Sequence, residues 1–135
     1  NCHFIPALIK KIHQLKFYNK NKLTLWGNGK ARREVIYVDD LADACIYFMK
    51  KKTKETIINI GTGKDYTIKE YANIILKKIL PKQNVYIKYD TKKPNGTPQK
   101  VLDISLAKKY GWCSKTKISD AILITYNHFL KKNEI

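Results

Sequence analysis

Apolar residues recur with helical spacing in several parts of the chain. Residues 4–15 carry them at i, i+3, i+4 and i+7, which predicts a helix with one buried face, formed by Ile5, Leu8, Ile9 and Ile12. A second helix is predicted to begin at Asp39 as N-cap and to bury Cys45. A third begins at Thr67, which forms a Thr-x-x-Glu capping box with Glu70. Two further helices are predicted at 105–110 and 119–130.

Short strand-like runs alternate with these helices. The runs 23–26 and 34–38 flank a Gly-Asn-Gly-Lys turn, and the Asn-Gly pair predicts a β-hairpin between them. Further strands are predicted at 57–60 and 85–89. The alternation of strand and helix predicts an α/β fold, and the length of 135 residues is that of one domain over residues 1–135.

The segment Gly61-Thr62-Gly63 lies between a predicted strand and a predicted helix, as a dinucleotide-binding loop does. That loop needs a third small residue three positions later, so that the helix packs closely and faces the pyrophosphate. Tyr66 stands there instead. The segment is therefore predicted to be a turn, and a complete cofactor site within the chain is not expected.

The net charge of +16 raises the question of a nucleic-acid partner. Only two of the 27 basic residues are arginines, Arg32 and Arg33, and the lysines are spread along the chain. Nucleic-acid modules more often concentrate charge and interleave it with exposed aromatics. We expect a solvated lysine-rich surface without a specific nucleic-acid site, although such a surface attracts a pyrophosphate.

The cysteines and the hydropathy exclude several other classes. Three cysteines without Cys-x-x-Cys spacing predict neither a disulfide framework nor a metal site, and a reducing, cytoplasmic setting fits best. No run approaches the roughly 20 apolar residues of a membrane span, so no membrane association is expected.

Candidate site residues begin at the first helix. His3 stands at its start, where a lone histidine is more often a surface or capping residue than a catalytic one, and His13 is predicted on the helix surface. Phe4, Leu8 and Lys11 fall within about 60° of one another over a rise of roughly 10 Å. This stripe is either a ligand surface, with phosphate on Lys11, or a boundary stripe with a snorkelling lysine.

The second candidate feature is the turn after the predicted strand 23–26. Trp26 can stack on a flat base, and Arg32 and Arg33 follow the turn directly. An arginine can bind a phosphate through two parallel hydrogen bonds.

Taken in order, several runs resemble the GDP-L-fucose synthase family, extended short-chain dehydrogenases/reductases that act on nucleotide sugars. The runs cover nearly the whole chain: His3-Phe4-Ile5-Pro6-Ala7-Leu8-Ile9, Trp26-Gly27-x-Gly29, Arg33-Glu34, Tyr37-Val38-Asp39-Asp40-Leu41-Ala42-Asp43-Ala44, Ile58-Asn59-Ile60-Gly61-Thr62-Gly63, Lys93-Pro94-Asn95-Gly96-Thr97-Pro98 and Gly111-Trp112. The first and the Lys-Pro-x-Gly-Thr-Pro runs are the narrower ones, and they indicate the fucose branch.

The resemblance implies a fold and a chemistry. The chain is expected to be the C-terminal substrate-binding portion of such an enzyme, with the N-terminal Rossmann half absent. The family epimerises GDP-4-keto-6-deoxy-D-mannose at C3 and C5 and then reduces the C4 ketone with NADPH to give GDP-L-fucose. His3 matches the family's acid/base histidine, near the nicotinamide. The implied substrate-binding residues are Phe4, Leu8, Lys11, Trp26, Arg33, Asn95 and Lys100.

The resemblance also implies partners and limits. NADP(H) is expected to be bound mainly by the missing half, and the full-length enzyme is expected to be a homodimer. The family usually has Arg at Lys11, Asp at Asn95 and Arg at Gln99. Because the NADPH loop and the catalytic Ser, Tyr and Lys are not in this sequence, the chain alone is expected to be inactive. The alternatives are the substrate domain of another nucleotide-sugar epimerase or dehydratase, and a basic, non-catalytic binding module.

Overall fold

The computed structural model describes residues 3–132, over which helices and strands alternate. The α/β class predicted from the sequence is confirmed. The helices are α1 (Phe4–Phe17), α2 (Val38–Lys50), α3 (Ile68–Ile79), α4 (Ser105–Lys109) and α5 (Ile118–Lys132). The strands are β1 (Lys22–Trp26), β2 (Arg32–Glu34), β3 (Asp65–Thr67), β4 (Tyr86–Asp90) and β5 (Gln99–Lys100).

The strands form two small sheets, and the predicted hairpin is wrong. β1 pairs in parallel with β4, whereas β2 lies between antiparallel β3 and parallel β5. The backbone N–H of Gly27 donates to the carbonyl oxygen of Asp90 at 2.9 Å, so the pairing with β4 continues past the end of β1. The turn 27–30 therefore carries the chain from one sheet to the other. The predicted strand 57–60 pairs with no strand among the described residues.

The main core lies where α1, α3 and α5 pack on β1 and β4. Its most buried side chains are Ile9, Ile12, Leu23, Tyr71 and Ile75. Burial of apolar surface of this kind is the dominant stabilising term in folding. The predicted α1 face is confirmed in its main part, with Ile5 only half-buried.

His13 corrects one prediction about α1. It is buried instead of lying on the helix surface. Its Nδ1 lies 3.0 Å from the hydroxyl oxygen of Tyr126 on α5. A buried imidazole needs such a polar partner, and this one lies 113 positions away, beyond the reach of helical spacing.

Of the N-caps predicted for α2 and α3, the one at α3 is confirmed and the one at α2 is wrong. At α3, the hydroxyl of Thr67 accepts from the N–H of Glu70 at 3.1 Å, and the carboxylate of Glu70 accepts from the N–H of Thr67 at 2.7 Å. The predicted capping box is confirmed. At α2 the N-cap is Tyr37, not Asp39, because the helix begins two residues earlier and takes both aspartates into its first turn.

A smaller apolar cluster forms where α2 packs on α4 and Trp112. Ala44, Ala107 and Trp112 are its buried members. The prediction that Cys45 is buried is wrong, since its side chain is exposed. Helical spacing shows that α2 has an apolar stripe, but the described residues cover only the part of it around Ala44. Val38 and Met49 on the same helix are 66% and 86% exposed. Cys45 and Cys113 are free thiols, and Cys2 lies outside the described residues.

Candidate functional site

Trp26 stands at the end of β1 with its indole open to solvent. Strand alternation points Leu23 and Leu25 into the core, and Trp26 is 63% exposed. Two ammonium groups lie near the ring: the Nζ atoms of Lys11 and Lys93 are 5.8 Å and 5.6 Å from its centroid. These are cation–π distances, so the indole is a flat surface next to two positive charges.

A loop from the second half of the chain closes over the turn that follows Trp26. The side-chain oxygen of Asn95 accepts from the backbone N–H of Asn28 at 2.7 Å. Gly27 has a φ of 67°, and a Cβ there would overlap the side chain of Asn95. The close approach therefore requires glycine at this position. The contact brings the exposed residues 91–98, which we call the 91–98 loop, up to the end of β1.

Arg33 on β2 reaches the same loop. Its Nη1 donates to the carbonyl oxygens of Thr97 and Arg32, both at 2.6 Å. Lys100 on β5 pairs with Arg33 across the parallel strands. In the part of the chain that the structure describes, neither Arg33 nor Lys100 has a carboxylate within ion-pair distance. Their charges are therefore available to an external anion.

Arg32 differs from its neighbour. Its guanidinium donates through Nε and Nη2 to Asp65 of β3 at 3.1 Å and 2.8 Å. Gln99 donates to the other carboxylate oxygen at 2.6 Å. The hydrogen bonds from Arg32, and then that from Gln99, hold the pKa of Asp65 below its usual range. Arg32 thus ties β2 to β3 and is neutralised within the fold.

His3 lies at the other end of α1. It is the exposed N-cap of the helix, and its side chain makes no capping hydrogen bond. It lines an apolar cavity of about 460 Å³ with Phe4, Tyr37, Val38 and neighbouring residues. Phe4 is half-buried and packs edge-to-face on Tyr71, with ring centroids 5.2 Å apart. An imidazole at the rim of an apolar cavity can donate a proton to a ligand bound there or accept one from it.

Leu8 lies between these two regions and belongs to the core. It is 5% exposed, so its side chain packs against the protein over nearly its whole surface. The stripe Phe4, Leu8 and Lys11 therefore lies at the edge of the core: Leu8 in its middle is buried, whereas Phe4 and Lys11 at its two ends are partly exposed. The ammonium of Lys11 donates to the carbonyl oxygen of Thr24 at 3.3 Å.

The Gly61-Thr62-Gly63 turn is closed by a carboxylate of the protein itself. The N–H groups of Thr62 and Gly63 donate to Oε1 of Glu34 at 2.5 Å and 2.6 Å. Successive backbone N–H groups of this kind form an anion-binding concavity. Because Glu34 occupies it, the turn cannot also hold a pyrophosphate.

For a dinucleotide cofactor, the cavity beside His3 offers an apolar wall to a flat ring, whereas the amides of the turn 61–63 are occupied by Glu34 and are not open to its phosphates.

The structure brings together four residues that the sequence named separately: Lys11, Trp26, Arg33 and Asn95 lie around the 91–98 loop, and Lys100 pairs with Arg33. Sequence reasoning missed Lys93, although a lysine two positions before Asn95 was a usable signal. It also missed the role of Glu34, for which the sequence offers no local signal.

Comparisons with known proteins concern the family and the fold. The model of the NAD dependent epimerase/dehydratase family matches residues 1–61. GDP-L-colitose synthase of Yersinia pseudotuberculosis is 41% identical over 133 residues, which are 98% of this chain and 42% of that protein. GDP-L-fucose synthase 1 of Arabidopsis thaliana is 35% identical over 131 residues, which are 97% and 40%.

A solved structure shows the same fold. GDP-mannoheptose C4 reductase from Campylobacter jejuni, with NADP bound, has a TM-score of 0.80 and 33% identity over 95% of this chain and 45% of that one. The chain is therefore part of an extended short-chain dehydrogenase/reductase. Within that class it is similar to the C-terminal part of GDP-L-fucose synthases, and it spans about two fifths of the length of the curated relatives named above.

Two further observations concern membranes and metals. No helix within residues 3–132 is both long and apolar enough to span a bilayer. The same residues contain no group of three or more His, Cys, Asp or Glu side chains placed to hold a metal ion.

Proposed function

We propose that this chain provides the GDP-sugar-binding part of a GDP-L-fucose synthase-like enzyme. The observation that carries the proposal is the end of β1, where two ammonium groups lie near an exposed indole, and where Arg33, which has no carboxylate partner among residues 3–132, contacts the same 91–98 loop. A nucleoside diphosphate combines a flat base with two adjacent negative charges, and this surface is complementary to both.

Each residue then has a distinct role. Trp26 stacks on the base, and Lys11 and Arg33 bind the diphosphate, with Lys100 beside Arg33. Lysine at position 11 acts as a point charge, without the planar fork of an arginine. Asn95 holds the 91–98 loop against the turn after β1 through its oxygen, and its amide nitrogen, which has no hydrogen-bond partner within residues 3–132, donates to the ligand.

The reaction takes place at the His3 end of α1. The complete enzyme converts GDP-4-keto-6-deoxy-D-mannose to GDP-L-fucose, and His3 exchanges a proton at a carbon next to the ketone. NADPH, when bound, supplies the hydride for reduction of that ketone. The cavity beside His3 and Phe4 receives the nicotinamide ring, while the rest of NADP(H) is bound mainly by a dinucleotide-binding half.

The proposal extends to the whole protein. That enzyme is a cytoplasmic homodimer, and residues 1–135 form its single substrate-binding domain. By themselves they turn over no substrate, because Glu34 occupies the amides of the turn 61–63 and no cofactor phosphate can bind there.

A second candidate remains within the same class. The similarity to a GDP-L-colitose synthase and to a GDP-mannoheptose C4 reductase favours another keto sugar on the same nucleotide. The two candidates share the GDP site and differ only in the sugar.

The test is calorimetric titration of the 135-residue chain with GDP, UDP and a short DNA duplex at physiological salt. We expect saturable GDP binding with one site, and weaker UDP binding because a pyrimidine offers less stacking area. Preference for UDP would indicate a different nucleotide-sugar enzyme. Tight DNA binding with a steep salt dependence, and none of GDP, would indicate the basic binding module instead.

A further inference from the structure

Glu34 joins three separate segments of the chain through one carboxylate. Oε1 accepts from the backbone N–H groups of Thr62 and Gly63 at 2.5 Å and 2.6 Å. Oε2 accepts from the backbone N–H of Leu102 at 2.7 Å. The side chain is partly buried, and hydrogen bonds from several N–H groups to one carboxylate are among the stronger ones in proteins.

The contact with Leu102 fixes the segment that carries Lys100. β5 is only two residues long, and its pairing with β2 ends at Arg33 and Lys100. A two-residue strand holds its register weakly, so the bond from Leu102 to Glu34 anchors the chain just beyond it. Glu34 and Lys100 also line one cavity of about 420 Å³.

On β2, Glu34 and its neighbour Arg33 contact different segments of the chain. Glu34 follows Arg33 directly, and successive side chains of a strand point to opposite faces. Arg33 therefore reaches the 91–98 loop while Glu34 reaches the turn 61–63 and Leu102.

We propose that Glu34 is a positioning residue that fixes Lys100 beside Arg33, so that both cations meet the diphosphate of the nucleotide sugar. This role rests on the proposed function. Glu34 itself does not touch the ligand, because its carboxylate is occupied by backbone groups and would repel a phosphate.

The experiment is a double-mutant cycle on GDP binding by the 135-residue chain. Glu34→Gln keeps an oxygen for Thr62 and Gly63 but turns an NH₂ group toward the N–H of Leu102. We expect Glu34→Gln and Lys100→Ala each to weaken GDP binding by about tenfold, the scale of one charge-assisted contact. The double variant should bind no more than about twofold weaker than Lys100→Ala, because residues that act through one another are not additive.

Asp40→Asn is the matched control. The carboxylate of Asp40 also accepts backbone N–H groups from a distant loop, those of Lys115 at 3.2 Å and Thr116 at 2.9 Å. That loop carries no proposed ligand residue, so GDP affinity should stay within about twofold even if the melting temperature falls. Amide hydrogen exchange at Leu102 should accelerate in Glu34→Gln and remain unchanged in Asp40→Asn.

The outcomes separate the two proposals. Additive losses in the double variant, or wild-type affinity in Glu34→Gln, overturn the positioning role while the proposed function stands. Absence of GDP binding by the wild-type chain overturns both. If Glu34→Gln does not fold, Leu102→Pro takes its place in the same cycle, with Leu102→Ala as its control, because proline removes the N–H that donates to Oε2 whereas alanine removes only the side chain.

Discussion

The turn 61–63 and the end of β1 both present groups that attract anions, yet only one of them is open. At the turn, the N–H groups of Thr62 and Gly63 are occupied by the carboxylate of Glu34. At the end of β1, Trp26 lies near two ammonium groups, and within residues 3–132 Arg33 donates to carbonyl oxygens and to no carboxylate. A glycine-rich turn is therefore a phosphate site only when the fold leaves its amides free.

Binding at the end of β1 and proton transfer at His3 should respond differently to a change of the imidazole. In an enzyme completed with the dinucleotide-binding half of a GDP-L-fucose synthase, His3→Gln should lower kcat by roughly 10²–10⁴, the usual contribution of a general acid or base. Solvent-deuterium exchange at C3 or C5, followed by NMR, should fall with it. GDP affinity should remain at the wild-type level. Wild-type exchange and turnover in the variant would reduce His3 to a helix-start residue.

The next effect contrasts the two adjacent arginines. Arg33→Ala should weaken GDP binding by roughly ten- to hundredfold, since a charge-assisted contact contributes about 1.5–3 kcal/mol. Arg32→Ala should instead lower the melting temperature through loss of the bond to Asp65, and change GDP affinity by about twofold at most. Calorimetric titration and thermal unfolding of both variants measure the two responses. If both variants lost GDP affinity equally, the ion pair of Arg32 with Asp65 would not distinguish the role of Arg32 from that of Arg33.

Local contacts were predictable from the sequence, and distant partners were not. The capping box of Thr67 and Glu70 spans three residues, so its spacing contains all the information it needs. The hairpin prediction was wrong because the partner of β1 lies about 60 positions away in β4, and nothing near the Asn-Gly pair shows that. The prediction that His13 lies on the helix surface was wrong for the same reason, because its partner Tyr126 is distant in the sequence.

The candidate site followed the same division. Residue types identified Trp26 and Arg33 as binding groups, and the resemblance to a family added Asn95 and Lys100. Which charges are already neutralised depends on pairs far apart in the chain, such as Glu34 with Leu102 and Arg32 with Asp65. Composition and spacing contain no record of those pairs.

The smallest effect is a pH dependence at the neutralised arginine. The pKa of Asp65 is held below its usual range, chiefly by the hydrogen bonds from Arg32. A depressed folded-state pKa stabilises the fold above the unfolded value near 4, and this contribution is lost as the pH falls further. The free energy of unfolding, measured with denaturant, should therefore decrease as the pH falls below about 4. Asp65→Asn and Arg32→Ala should both flatten that decline, and an unchanged slope in either would contradict the assignment.

The most direct test of the open end of β1 uses its own fluorescence. The chain has two tryptophans, and Trp112 is only 3% exposed with its Nε1 donating to Asp43. GDP should therefore quench the emission of the wild-type chain saturably, through Trp26, and guanosine should do so at least about tenfold more weakly because it lacks the phosphates. In Trp26→Phe, GDP should still bind by calorimetry with the quenching gone. An unchanged emission of the wild-type chain at saturating GDP would contradict the account, because the base would then lie elsewhere.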